Sequence, residues 1–304
     1  MTQAPAVGFV ATKPLQIITS MIVARQLDLG PATLSVVPTF DEAAAVIARL
    51  HEHDTGFADV HRARHRTTAL VALARRGASY VLLDSDVGLR TPVAMWLARA
   101  LRPDVRLALY EEGLSLLEPD PDQHPNRVFA ALGAVCSLGE GRLTQEIWTY
   151  SPDAVRARLP QARCVRRIET SVQTFMAERR DVLAAVFWPS REDEVQRWSG
   201  RRCCLYLSSW QVEPRVFDHL DQSGAFTVCK FHPHLRDVTV RPRGVAQVVP
   251  AAVPAELLIL DLAEAFDDVE VWHHGSTVAH YVSSPRVRFR HVDEVLGHSP
   301  ADPP

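Results

Sequence analysis

The chain has 304 residues, 47% of them hydrophobic and 23% charged, which is ordinary for a soluble globular protein and long enough for two domains of about 150 residues. Its formal net charge of -3 excludes the global basic field of a typical nucleic-acid binder. Local basic runs at Arg62–Arg66 and Arg241–Arg243 read first as solvated faces, with an anionic ligand or membrane surface as the secondary reading.

Strand-like and helix-like segments alternate from the N-terminus. Val7–Ala11 reads as a strand, followed by a helix over Pro14–Arg25 with Thr12 as its N-cap. Thr33–Val37 is a second strand and Asp41–Leu50 a second helix. His61–Arg76 reads as a basic helix stopped by Gly77. Ser79–Asp84 is a strand, Thr91–Leu101 a helix, and Val105–Tyr110 a strand running into Glu111-Glu112-Gly113. Ser115–Pro125 reads as a loop, Arg127–Leu138 as a helix and Gln145–Tyr150 as a strand. The polar, Pro-bounded stretch Pro152–Pro160 marks the domain boundary, giving domains 1–155 and 156–304, the second opening with linker helices over Glu169–Phe187.

The second half repeats the order. Cys203–Leu207, Phe226–Phe231, Ala246–Val249, Val269–Trp272 and Val287–His291 read as strands. Val212–Gln222, Pro254–Phe266 and Ser276–Val282 read as helices. This βα alternation implies an α/β fold with parallel sheets covered by helices. Two Rossmann-like domains facing a central cleft is the arrangement called GT-B.

The five cysteines form no CxxC pair, and Cys203, Cys204 and Cys229 lie in strand-like runs as small buried hydrophobes. With no signal-peptide pattern and no apolar run of membrane-spanning length, the expected location is cytoplasmic, with peripheral contact to the inner membrane as a secondary expectation.

Five short motifs carry chemistry. Glu111 and Glu112 follow a buried strand, where a desolvated carboxylate beside a second negative charge gains the raised pKa of a general base; Gly113 turns the chain. The plain alternative is a polar strand end. Lys230-Phe231-His232-Pro233-His234 follows another strand, and its imidazole can protonate a phosphate leaving group, with Lys230 favouring an anion. Reading His232, His234, His273 and His274 as metal ligands is weaker, because Pro233 constrains the pair and no acidic third ligand has a familiar spacing. Gly275-Ser276-Thr277 opens a helix where backbone N–H groups and hydroxyls suit phosphate, or serve as an ordinary cap. Glu256 in a first turn reads as a dipole-compensating acid or as a ribose ligand. Asp84-Ser85-Asp86 is a DxD triplet best read as part of a loop.

Glu111-Glu112-Gly113, His232-Pro233, Glu256 and Ser276-Thr277, in this order, resemble the D/E-D/E-G, H-P, ribose-binding Glu and Ser/Thr motifs of bacterial GT-B sialyltransferases and polysialyltransferases. Thr12-Lys13-Pro14-Leu15-Gln16 is similar to the "TPLQ" opening of branches of that family. Both acids being Glu, and Thr277 in place of a commoner Ser, depart from the pattern.

The resemblance implies an inverting, metal-independent glycosyltransferase that moves sialic acid, another nonulosonic acid or Kdo from a CMP donor to a hydroxyl acceptor. Glu111, or else Glu112, would be the base. His232 would assist the departing phosphate, and Thr12, Gln16, Gly113, Lys230, Pro233, Glu256, Gly275, Ser276 and Thr277 would line the substrate sites. No cofactor beyond the donor nucleotide is implied. The alternatives are a GT-B enzyme using a UDP- or GDP-sugar, an epimerase included, and a non-catalytic nucleotide-binding protein of the same fold.

Overall fold

The computed structural model describes residues 6–111, 113–117, 135, 137–210, 212–233, 235 and 242–297. The chain divides into two compact units, Met1–Pro38 with Ala43–Phe175 and Thr39–Glu42 with Met176–Pro304.

The first unit is built on a parallel seven-stranded sheet in the order β3-β2-β1-β4-β5-β6-β7. The strands are β1 (Ala6–Ala11), β2 (Ala32–Val36), β3 (Phe57–Arg62), β4 (Ala78–Leu83), β5 (Arg106–Tyr110), β6 (Thr144–Thr149) and β7 (Val165–Arg167). The helices between them include α1 (Pro14–Leu27), α2 (Ala43–Glu52), α3 (Arg66–Arg75) and α4 (Arg90–Leu101). β1, β4 and β5 are apolar along nearly their whole length, as expected of parallel strands covered on both faces. Leu70, Leu73 and Ala74 of α3 and Ala94, Met95 and Ala98 of α4 pack with Val81, Leu83, Leu107 and Leu109 in one core. Gly8 makes room there: a Cβ on it would stand 2.9 Å from Leu73 Cδ2, so glycine lets the Leu73 side chain of α3 lie against β1 without shifting.

Two expectations change in this unit. The basic helix read over His61–Arg76 is a strand followed by a shorter helix, because His61 and Arg62 pair with Ser35 and Val36 at the end of β3. The first unit also reaches twenty residues past the boundary read at 155, since β7 pairs with β6 and Pro152–Arg158 is a helix rather than linker. Of the helix read over Arg127–Leu138, residues 127–134 and 136 lie outside the described residues.

The second unit holds a parallel five-stranded sheet in the order β10-β9-β8-β11-β12. Its strands are β8 (Arg202–Leu207), β9 (Phe226–Lys230), β10 (Gln247–Val249), β11 (Asp268–His273) and β12 (Val287–His291). Cys203, Cys204 and Cys229 are buried in the strands, as their context suggested. Asp261, in the helix Ala255–Ala265, is buried and bonded by both Arg180 and Arg191, which ties the helices Arg180–Phe187 and Arg191–Val195 to this domain. In each sheet the chain starts at an inner strand, builds outward in one direction and then reverses. The reversal falls between β1 and β4 in the first sheet and between β8 and β11 in the second. Open α/β sheets bind ligands beyond the strand C-termini at such points.

Candidate nucleotide site at the second switch point

β8 leads into Ser208, β9 into Phe231 and His232, and β11 into His274-Gly275-Ser276. Because β8 lies between β9 and β11, His232 and Ser276 stand at strand ends on either side of Ser208. Ser208 Oγ accepts the backbone N–H of His232 at 2.8 Å, which fixes where β9 releases its chain. The N–H of Leu235 then donates to the His232 carbonyl at 2.8 Å, so His232-Pro233 forms a turn that leaves the imidazole half-buried. The indole of Trp210, 66% exposed, lies 4.9 Å from that imidazole at an interplanar angle of 32°. Ser208 and Trp210 carried no motif; the signal that finds them is their position just past a buried strand at the switch point. His234 lies outside the described residues.

Lys230 differs from a solvent-facing anion ligand. It is 5% exposed, and its ammonium donates to the Ala251 carbonyl at 3.3 Å. Burial brings its pKa down to about 8, against the pull of Glu256. Glu256, also 5% exposed, sits in the first turn of the helix Ala255–Ala265. Burial raises its pKa, while its own backbone N–H and the Lys230 ammonium act the other way. Both side chains are buried, and each charge favours the other's ionised form against the larger effect of burial.

The Gly275–Thr277 turn is built differently from a helix-dipole anion cradle. The backbone N–H groups of Gly275 and Ser276 both donate to His273 Nδ1 at 3.1 Å, so that nitrogen is unprotonated and the neutral ring carries its proton on Nε2. Gly275 has φ +73, a left-handed conformation that favours glycine. The Val278 N–H donates to Ser276 Oγ at 3.3 Å, and Thr277 precedes a helix of only four residues, Val278–Tyr281. The helix read from Ser276 thus begins two residues later, after this turn.

Tyr206 of β8 lies beside this turn. Its hydroxyl accepts the Glu213 N–H at 3.1 Å and stands 3.0 Å from His274 Nε2. His273 and His274 titrate below the ordinary histidine value, first from burial and then from the neighbouring His291. Among the described residues no group of three His, Cys, Asp or Glu side chains is arranged to hold a metal ion.

In the first unit, Gln16 Oε1 accepts the Thr12 hydroxyl at 2.9 Å and the Lys13 N–H at 3.1 Å, closing the start of α1. Lys13, not Thr12, is therefore the N-cap. Gln16 is 1% exposed, and its Nε2 has no hydrogen-bond partner among the described residues. The Thr12 hydroxyl also lies 3.2 Å from the buried Asp84 carboxylate, an alternative acceptor for its proton, and Asp84 is gripped by Arg66, whose Nε lies 2.8 Å away. Asp86 accepts the N–H groups of Gly139 and Gly141 at 3.0 and 3.2 Å and the Thr144 hydroxyl at 2.7 Å. Both acids of the DxD triplet thus hold loops.

Glu111 is 1% exposed at the end of β5. Its carboxylate accepts the Thr149 hydroxyl and, at 3.0 Å, the Tyr150 N–H, so it anchors the end of β6. Gly113 turns the chain at φ +66. Glu112 lies outside the described residues. β4 stands between β1 and β5, so the Thr12–Gln16 and Glu111 clusters lie at the ends of strands that are one apart in the sheet.

No protein-family model matches the sequence, and no curated protein matches it. Solved structures do. The chain is similar to the UDP-GlcNAc 2-epimerase of Methanocaldococcus jannaschii at 10% identity and TM-score 0.52, over 94% of this chain and 89% of that one. It is similar also to Staphylococcus aureus MnaA, solved with UDP, at 12% identity and TM-score 0.50, over 90% of this chain and 75% of that one. The fold is GT-B. At these identities the likeness establishes the fold alone.

Proposed function

We propose that this chain is an enzyme that processes a nucleotide-linked sugar, a glycosyltransferase whose UDP-linked donor is held by the second domain. The observation that carries the proposal is the pairing of Ser208 with His232 at neighbouring strand ends beside the β8/β11 switch point. A half-buried imidazole at a strand end beside the switch point, with the exposed Trp210 ring next to it for an apolar or aromatic group, supports a role toward the ligand phosphate. His232 then protonates or hydrogen-bonds the departing phosphate. Fold likeness to a UDP-GlcNAc 2-epimerase and to a protein solved with UDP favours the UDP donor.

The second reading is a CMP-linked acidic sugar, favoured by the order of the Glu-Glu-Gly, His-Pro, Glu256 and Ser-Thr motifs. Under either reading the acceptor-activating base is one of Glu111 and Glu112. Burial of the Glu111 carboxylate against Thr149 and Tyr150 favours Glu112.

Thermal-shift titrations with UDP, CMP and GDP test the donor class, because a ligand of the native state raises Tm by mass action. UDP is expected to give the largest rise, and His232→Ala to lower donor turnover about a hundredfold or more. A rise with CMP alone moves the assignment to the second reading. No rise with any nucleotide overturns both.

A further inference from the structure

The helix α4 is apolar on both sides, and only one side is covered. Ala94, Met95 and Ala98 are buried in the first domain's core. On the opposite face Val93 is 54% exposed, Trp96 71%, Leu97 39% and Leu101 53%. With exposed Ala100 these positions follow the i, i+3, i+4, i+7, i+8 spacing of one continuous helical stripe. They account for four of the six large hydrophobic side chains that stand exposed among the described residues, and Val87, just before the helix, is a fifth. Single exposed hydrophobes need no explanation; a contiguous stripe does.

We propose that this face of α4 docks in the plane of an anionic phospholipid membrane. Charge selects the occupant. α4 contains no Asp or Glu, and Arg90 and Arg99 lie along it. The nearest carboxylate past its end, Asp104, is engaged by Arg102 at 3.0 Å. α3, packed against α4, likewise contains no acid, and its last residue, Arg75, is exposed. An apolar stripe centred on tryptophan and bordered by arginines matches the boundary between acyl chains and anionic headgroups, where the indole sits at headgroup level. A second copy matches it poorly. An isologous contact sets two copies of a helix that carries Arg90 and Arg99 and no Asp or Glu against each other, so the face finds no complementary charge in itself. The contact is superficial: twelve residues span about 18 Å, well short of a bilayer core. Among the described residues no helix is long and apolar enough to cross a membrane.

The test is flotation of the full chain with vesicles of phosphatidylcholine alone or mixed with phosphatidylglycerol. The wild type is expected to float with the mixed vesicles, to stay behind with phosphatidylcholine alone, and to be released by high salt. Trp96→Glu with Leu101→Glu is expected to cut retention at least about tenfold while melting like the wild type, since both side chains are exposed. If that variant fails to fold, the milder Trp96→Ser is expected to show the same loss in smaller degree. Equal retention of wild type and variant, or no retention on mixed vesicles, overturns the proposal. A wild-type dimer in light scattering that Trp96→Glu dissociates, with no vesicle retention, also overturns it and gives the face to a second copy. Nucleotide binding measured without vesicles is expected to be unchanged in these variants, which separates this proposal from the donor-site reading.

Discussion

Ser208 Oγ and the His232 backbone N–H meet at 2.8 Å, joining the C-terminal ends of β8 and β9. The serine is 8% exposed, so the bond is sheltered from water. Ser208→Ala leaves that N–H without its acceptor and loosens the turn presenting the imidazole. A loss of about 1–3 kcal/mol is expected, read as a fall of roughly tenfold in donor turnover with the melting temperature lowered by a few degrees. Ser208→Thr, which keeps the hydroxyl, is expected to recover most of the activity. Steady-state kinetics of the two variants decide whether this bond positions His232.

Lys230 should show in the pH dependence of stability. Its folded pKa of about 8 lies below the ordinary 10.5, so between those values the unfolded chain binds more protons than the folded one. The cost of burying the ammonium is fully present below pH 8 and is relieved as pH rises toward 10.5. Denaturant unfolding across this window is expected to show a rise in wild-type stability that Lys230→Met lacks. The variant's curve should be flat or falling, because Glu256 then remains buried without its counter-charge. Parallel curves would remove Lys230 as the source.

Glu111 and Glu112 should separate by the kind of damage they cause. Glu111→Ala deprives the Thr149 hydroxyl and the Tyr150 N–H of a buried charged acceptor. A fall in Tm of roughly 5–10 °C is expected. Glu112→Gln is expected to melt like the wild type and to lose about a hundredfold or more in transfer to the acceptor. Calorimetry beside an acceptor-dependent assay gives both numbers, and the reverse pattern would make Glu111 the base.

Gly141 tests the role of the DxD triplet. A Cβ at this position would lie 2.5 Å from Asp86 Oδ2, the oxygen that accepts the Gly141 N–H and the Thr144 hydroxyl. Gly141→Ala is expected to displace that carboxylate and cost about 1–3 kcal/mol, measured as a shift in the denaturant midpoint. Ser85→Ala, between the two structural acids, is expected to leave stability within about 0.5 kcal/mol of the wild type.

The alternation of apolar runs and helical segments is legible in the chain, and with it two parallel-sheet α/β domains. That information is local: β1, β4, β5 and β8 are largely apolar runs, β9 and β11 are rich in Val and aromatic residues, and Pro, Gly and acidic residues punctuate the helices near their observed ends. It placed Glu111, His232 and Ser276 at strand ends for the same reason. β3 escaped because its alternation is weak and runs into the basic residues of α3, so the strand appears only once β2 is there to pair with it. Tertiary structure alone decided what each strand-end side chain faces. Thr149 and Tyr150, 38 and 39 residues beyond Glu111, draw its carboxylate inward. The reversal of strand order sets Ser208 between His232 and Ser276. The fold also buried both Lys230 and Glu256, and left one apolar side of α4 in solvent. Local periodicity is written in the chain, whereas burial and partnership depend on neighbours that only folding supplies.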